Sequence, residues 1–208
     1  MGATTGAKQR SAAMVLAFLL AVGLAVSPAP AQFSDSYQFL KAVRDRDGAK
    51  VTEYLDKPGT TIVNTRDYST GDTALHIVVQ RRDSQWLAFL LAKGADPNAR
   101  DRNGNTALAV AAQLGWVDGA TALLARRANV NATNDRGETP LILAVQRRDP
   151  ATVRLLLANG ADPKITDHIA GMSARDYAAR DSRSAVILKA IDEAKPVKPA
   201  AQVAGPKL

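Results

Sequence analysis

The segment Gly71-Asp-Thr-Ala-Leu-His76 has two near copies further along the chain. It returns as Gly104-Asn-Thr-Ala-Leu-Ala109 and as Gly137-Glu-Thr-Pro-Leu-Ile142, each time after 33 residues. Two further features keep the same period, namely Gly94-Ala-Asp-Pro-Asn98 with Arg127-Ala-Asn-Val-Asn131 and Gly160-Ala-Asp-Pro163, and the single residues Gln80, Gln113 and Gln146. Three features with one period indicate a repeat protein whose units stack along one axis.

A 33-residue period with Gly-x-Thr-(Ala/Pro)-Leu followed by Gly-Ala-Asp-Pro-Asn resembles the ankyrin repeat. The resemblance implies an all-α repeat solenoid in which each unit is a helix-turn-helix plus a β-hairpin loop. The local chemistry agrees, because Thr73, Thr106 and Thr139 stand where a hydroxyl group can cap the first helix. Pro140 suits the first turn of such a helix, which has no backbone donor to satisfy.

About five units are predicted, including degenerate caps that would cover the two ends of the core. Three full repeats are predicted at 71–103, 104–136 and 137–170, and caps at 36–65 and 171–191, all within an ankyrin-repeat domain of residues 32–193.

Two positions depart from the common ankyrin pattern. A His that hydrogen-bonds between adjacent loops is kept only as His76, and a Gly at the turn between the helices is kept only as Gly115. Arg82 and Arg148 replace that Gly in the neighbouring repeats. A non-Gly residue at positive φ costs about 1 kcal/mol, so these two repeats are expected to turn differently or to be slightly strained.

Residues 1–31 have the order of a secretory signal peptide. Lys8 and Arg10 precede an apolar stretch at 12–26, and Ser27-Pro-Ala-Pro-Ala31 has small residues at both cleavage-recognition positions. The alternative is a membrane anchor, but the apolar stretch is short against the roughly 20 residues of a spanning helix. We therefore expect an exported protein of bacterial type, periplasmic or secreted, that is cleaved before Gln32.

The basic character of the chain is concentrated at its ends. The formal charge of +7 accompanies a pI near 9.9. Two of these charges lie in the signal segment and three in the lysines of the tail, 194–208, so the folded body carries only +2. A nucleic-acid-binding domain concentrates basic residues on its folded surface, and this distribution therefore predicts no nucleic-acid partner. The tail, rich in Ala, Pro and Lys, is predicted to be disordered, or alternatively to tether the protein to an anionic envelope surface.

Catalytic chemistry finds no support in the residue pattern. The chain has no Cys, and its two histidines, His76 and His168, lie about three repeats apart. Acidic residues stand at loop positions of the repeat, as Asp96, Asp162, Asp101, Asp135 and Asp167. We therefore predict no catalytic, cofactor-binding or metal site, and a protein that is not an enzyme.

The predicted partner-binding surface follows from the resemblance, which implies a concave face made of hairpin tips and the exposed edge of each first helix. Such positions are free of packing, so their identities can serve recognition of another protein. The hairpins contribute Tyr68, Asp72, Arg102, Asn105, Arg136 and Glu138, and the helix edges contribute Arg44, Gln80, Arg81, Gln113, Leu114, Gln146, Arg147 and Arg180.

Four arginines recur near the ends of first helices, namely Arg44, Arg81, Arg147 and Arg180. If they stack along one edge, they would suit an acidic partner surface, because the arginine fork pairs well with carboxylates. On the other interpretation, they complement the negative ends of helix dipoles, and the Asp that follows each caps the next helix. The sequence leaves both open.

The leading functional hypothesis is a periplasmic or secreted, monomeric binding module. The alternative is a structural envelope protein tethered by its basic tail. In either case membrane contact would come only from the tail or from an uncleaved signal segment.

Overall fold

The computed structural model describes residues 34–194; the predicted signal peptide and all but the first residue of the predicted tail lie outside the described residues. Within 34–194, helices alternate with loops and no extended strand occurs. The α-helices are α1 (Asp35–Asp45), α2 (Gly48–Leu55), α3 (Ala74–Gln80), α4 (Ser84–Ala92), α5 (Ala107–Leu114), α6 (Val117–Ala125), α7 (Pro140–Gln146), α8 (Pro150–Ala158), α9 (Ala174–Arg180) and α10 (Ala185–Asp192), with short 3₁₀ helices at Ile62–Asn64 and Ser182–Ser184.

The helices form two layers of a solenoid. Each odd-numbered helix, here called a first helix, packs on its even-numbered partner and on the first helix of the next unit. The second helices α4, α6, α8 and α10 likewise pack in succession. The predicted all-α repeat solenoid is therefore confirmed.

One continuous core runs between the two layers. The motif leucines Leu75, Leu108 and Leu141 of the first helices are buried. Leu90, Leu123 and Leu156 of the second helices, again 33 residues apart, are fully buried as well. Because the helices that carry these leucines pack within their own unit and on the neighbouring units, the stability of one unit depends on the next.

The first helices begin as the sequence predicts. The Thr106 hydroxyl accepts a hydrogen bond from the Ala109 amide at 3.3 Å, and Thr139 does the same for Ile142 at 3.2 Å. Thr73 forms a capping box with His76. These side chains satisfy amides that have no partner within the helix.

The turns between first and second helices share one conformation. Arg46, Arg82 and Arg148 have φ of 60°, 55° and 60°, close to the 67° of Gly115. Of the two alternatives expected for the arginine-containing repeats, a different turn does not occur, and the structure has the other, since each arginine bears the cost of a left-handed backbone, about 1 kcal/mol. Their side chains contact the next unit, since Arg82 Nη2 donates to the Leu114 carbonyl at 2.7 Å.

The hairpin loops are closed by an Asp or Asn side chain. Asp67, Asp101, Asn134 and Asp167 each accept hydrogen bonds from backbone amides two or more residues further on. In the third hairpin this position belongs to Asn134, and Asp135 stands one residue later. The difference of one residue matters because the exposed Asp135 instead pairs with Arg100 of the preceding unit at 3.2 Å.

Backbone hydrogen bonds also join successive hairpins. The amides of Arg102, Asp135 and His168 donate to carbonyls of the preceding hairpin at 2.9, 3.0 and 2.7 Å. His76 adds a buried bridge, since its Nδ1 accepts from the Thr73 amide and its Nε2 bonds the Asn105 carbonyl at 3.0 Å. The predicted structural role of His76 is thus confirmed.

An asparagine ladder, which the sequence analysis did not single out, links the other loops. The side-chain oxygens of Asn64, Asn98 and Asn131 accept from a backbone amide of the following unit at 2.8, 2.7 and 2.8 Å. The signal was present only in part, because Asn98 and Asn131 are 33 residues apart but Asn64 precedes Asn98 by 34. Together with the hairpin bonds, the ladder holds the loops at a regular spacing.

Candidate partner-binding surface

The predicted binding residues differ widely in how accessible they are. Tyr68, Arg44, Gln80, Arg102, Gln113, Arg136, Gln146, Arg147 and Arg180 are exposed, Asp72, Arg81, Asn105 and Leu114 are half-buried, and Glu138 is buried. Exposure on the hairpins and at the ends of the first helices is what a partner surface requires, so the exposed members remain candidates for contact.

A groove of about 340 Å³ lies between the second and third hairpins. It brings together three predicted residues, Asn105, Gln113 and Arg136, and its floor includes the nearly buried Leu143. The remaining lining residues are Asn103, Asn134 and Asp135. The groove therefore combines walls of carboxamides and of the charged Asp135 and Arg136 with an apolar floor, and we call it the central groove.

Glu138 holds the third hairpin together from within. Its Oε2 accepts from Asn134 Nδ2 at 2.9 Å and from the Arg136 guanidinium at 2.6 Å, and its Oε1 accepts from Gln146 Nε2 at 3.3 Å. A buried carboxylate with this many donors is satisfied and is not free to bind a partner. Its role was not apparent from the sequence, where it occupies the variable position of the Gly-x-Thr motif.

The four arginines do not form one row. Arg44 stands three residues before the Asp that caps the next helix, Arg81 and Arg147 stand two residues before theirs, and Arg180 stands directly before Asp181. Arg44 is in register with the exposed glutamines and pairs with Asp67 at 2.6 Å. Only equivalent positions of successive repeats stack in a solenoid. Because the four arginines do not all occupy the same position relative to the capping Asp, they do not all contact equivalent neighbours.

Arg81 is the most enclosed of the four, with its side chain 20% exposed. Its Nη1 donates to the Val43 carbonyl at 2.6 Å, at the end of α1, and its guanidinium lies 5.5 Å from the Trp86 ring. Burial lowers the pKa of Arg81, while Asp83 opposes that shift. Arg147 makes the corresponding contact more loosely, 3.4 Å from the Gln113 carbonyl near the end of α5. These contacts favour the helix-end interpretation for Arg81 and Arg147.

The turn arginines make a second set of contacts, which the sequence analysis had not anticipated. Arg46 lies 3.2 Å from Asp83, the capping residue of the next unit, and Arg148 pairs with Asp181 in the same way. The Arg148 hydrogen bond lowers the pKa of Asp181 to about 2, so the pair is charged at neutral pH. The arginines whose backbone has a positive φ therefore link one unit to the next through their side chains.

The first and last hairpins each have one residue more than the central two, and they present apolar side chains to solvent. Tyr68 is 97% exposed and Ile169 is 79% exposed. The backbone at Tyr68 is nevertheless held, because its carbonyl accepts from Arg102 Nη2 at 2.6 Å. Hydrogen bonds from Ser69 and Arg44 hold the pKa of the adjacent Asp67 well below its usual range, so that residue keeps its charge and its bonds.

Residues 34–194 hold neither a cluster of metal ligands nor a helix that could span a membrane. That part of the chain contains no group of three or more His, Asp or Glu side chains close enough to share a metal ion. No helix there is long and apolar enough to span a bilayer.

The class of protein defined by this architecture is a repeat solenoid that presents hairpin tips and first-helix ends. The family model for ankyrin repeats (three copies) matches residues 39–134, 75–167 and 118–191, which together span 39–191. The chain belongs to the ankyrin-repeat family. Ankyrin repeats generally mediate protein–protein interactions and are typically non-enzymatic.

Among curated proteins, the chain is similar to oxysterol-binding protein homolog 1 of Saccharomyces cerevisiae. The two are 39% identical over 70 residues, which make up 32% of this chain and 6% of that protein. The likeness therefore concerns one short segment of a much longer relative.

Proposed function

We propose that this protein is an exported, monomeric interaction module that binds a partner protein through its hairpin tips and first-helix ends. The observation that carries the proposal is Tyr68, an almost fully exposed aromatic side chain on a backbone held by Arg102. An exposed aromatic side chain on a held backbone can bury a large area in a complex, and such anchors often dominate binding energy. No catalytic role is included in the proposal.

Site-specific photocrosslinking tests this surface. With a benzophenone amino acid in place of Tyr68, we expect one discrete crosslinked partner in cells, because the side chain would lie inside the interface. The matched control carries the same group in place of Ala125, an exposed residue at the end of α6 in the second-helix layer. Equal crosslinking at the two positions, or none at position 68, would contradict the proposed surface.

Export is part of the proposal and rests on the charged, apolar and small-residue order of residues 1–31. We expect protein recovered from the periplasm or the medium to have the intact mass of a chain that begins at Gln32. Replacement of Ala31 by Asp should block processing, because the cleavage site needs a small residue there. A mature chain that still begins at Met1 would instead indicate an N-terminal anchor.

A further inference from the structure

Gln80, Gln113 and Gln146 stand at the ends of the first helices α3, α5 and α7, 33 residues apart and all exposed. Within residues 34–194, the carboxamides of Gln80 and Gln113 make no hydrogen bond, whereas that of Gln146 bonds Glu138 at 3.3 Å and also contacts Tyr177. The structure thus presents a row of equivalent side chains, here called the glutamine row, in which the hydrogen-bonding capacity of Gln80 and Gln113 is unused.

An apolar row runs beside the glutamine row. Ile77, Val110 and Leu143 precede the three glutamines by three residues, which places them on the same side of each first helix. They are 8, 9 and 4% exposed, so each shows only a small patch to solvent. Where the two rows pass through the central groove, Gln113 and Leu143 line the same depression. The surface is therefore a shallow apolar floor edged by carboxamides.

Most charges next to this surface are already paired. Arg44 pairs with Asp67, Arg81 with Asp83, Arg100 with Asp135 and Arg136 with Glu138, whereas Arg147 donates to the Gln113 carbonyl at 3.4 Å. These pairs leave few free charges at the surface, which favours an uncharged ligand segment over a charged one.

We propose, on the basis of the proposed function, that the glutamine row binds the main chain of an extended, uncharged segment of the partner protein in polyproline II conformation. A carboxamide offers both a donor and an acceptor, which match the peptide C=O and N–H groups. Packed helices lie about 8–10 Å apart, so successive glutamines should be separated by about that distance. A polyproline II segment repeats every three residues at about 3.1 Å each, which brings an equivalent peptide group to each glutamine.

The test uses phage-displayed random 12-residue peptides selected on the purified protein. We expect peptides that lose at least about tenfold in affinity for the Gln80→Ala/Gln113→Ala variant, because each alanine removes a main-chain contact. The control is Gln85→Ala, an exposed glutamine on α4 in the other layer, which should leave affinity unchanged. Because neither Gln80 nor Gln113 makes a side-chain hydrogen bond in the described part of the chain, the double variant should keep the fold.

An amide-to-ester scan of a selected peptide then distinguishes main-chain recognition from side-chain recognition. We expect affinity losses at positions three residues apart and less than about threefold change in affinity between low and high salt. Losses without that period, an unaffected double variant, or the absence of any selected peptide would overturn the proposal.

Two further outcomes separate this inference from other interpretations. If removal of residues 195–208 raises the affinity for the peptide, the surface belongs to the chain's own tail and the proposal of a partner segment is overturned. If the partner crosslinked at position 68 still binds the Gln80→Ala/Gln113→Ala variant with unchanged affinity, the glutamine row has failed and the proposed function stands.

Discussion

Replacement of Leu108 by Asp is expected to destabilise the whole solenoid by about 3–5 kcal/mol, because it places a carboxylate without a partner in the centre of the core. Leu108 is fully buried in α5, the first helix of the central unit. The loss spreads beyond this unit, since α5 packs on α3, α6 and α7. For a domain of this size, such a change lowers the melting temperature by roughly 10 °C or more.

Thermal unfolding followed by circular dichroism measures this effect. The matched control is Thr121→Asp, which introduces the same carboxylate on the exposed side of α6 in the same unit. We expect the control to change the melting temperature by only a few degrees, because surface substitutions usually cost little. A melting temperature for Leu108→Asp within about 3 °C of the parent protein would contradict the burial of this side chain.

Charge reversal at Arg81 and at Arg147 is expected to have unequal effects. For Arg81→Glu, the structure predicts a loss of about 2–4 kcal/mol, because a half-buried carboxylate would face the Val43 and Arg44 carbonyls. For Arg147→Glu, the loss should stay below about 1 kcal/mol, since this side chain is exposed and its contact with the Gln113 carbonyl is long. Urea unfolding of the two single variants gives both values.

Arg154→Glu provides the control for the change in net charge, because Arg154 is exposed on α8 in the other layer. It should leave the unfolding midpoint almost unchanged. Equal losses of stability for Arg81→Glu and Arg147→Glu would contradict the prediction that the more buried Arg81 contributes more to stability. If both variants instead kept full stability and lost partner binding at low salt, the acidic-partner interpretation would replace the helix-end interpretation.

Most of the fold could be predicted because its determinants are local in sequence or repeat with the period. The Thr106 cap acts on an amide three residues away, and its partner is therefore readable from the chain. His76 bonds the Asn105 carbonyl of the next hairpin, and the 33-residue period predicts that a hairpin lies there. The accessibility of the predicted binding residues was harder to predict. It depends on contacts with side chains of adjacent units, and the identities of those side chains vary from repeat to repeat.

The sequence by itself determined the 33-residue period, the helix starts and the motif leucines of the first helices, and it predicted which residues would face a partner. Only the tertiary structure decided which of those residues are free. Arg44 and Arg81 differ by one residue in their position within the repeat, and they therefore contact different partners. Asn134 closes its hairpin, whereas the next residue, Asp135, does not. Glu138, predicted to bind a partner, is buried and holds its own hairpin together. The physical reason is that hydrogen bonds and ion pairs act over a few ångströms between adjacent units. Their partners are therefore set by three-dimensional packing, whereas the period follows from the chain alone.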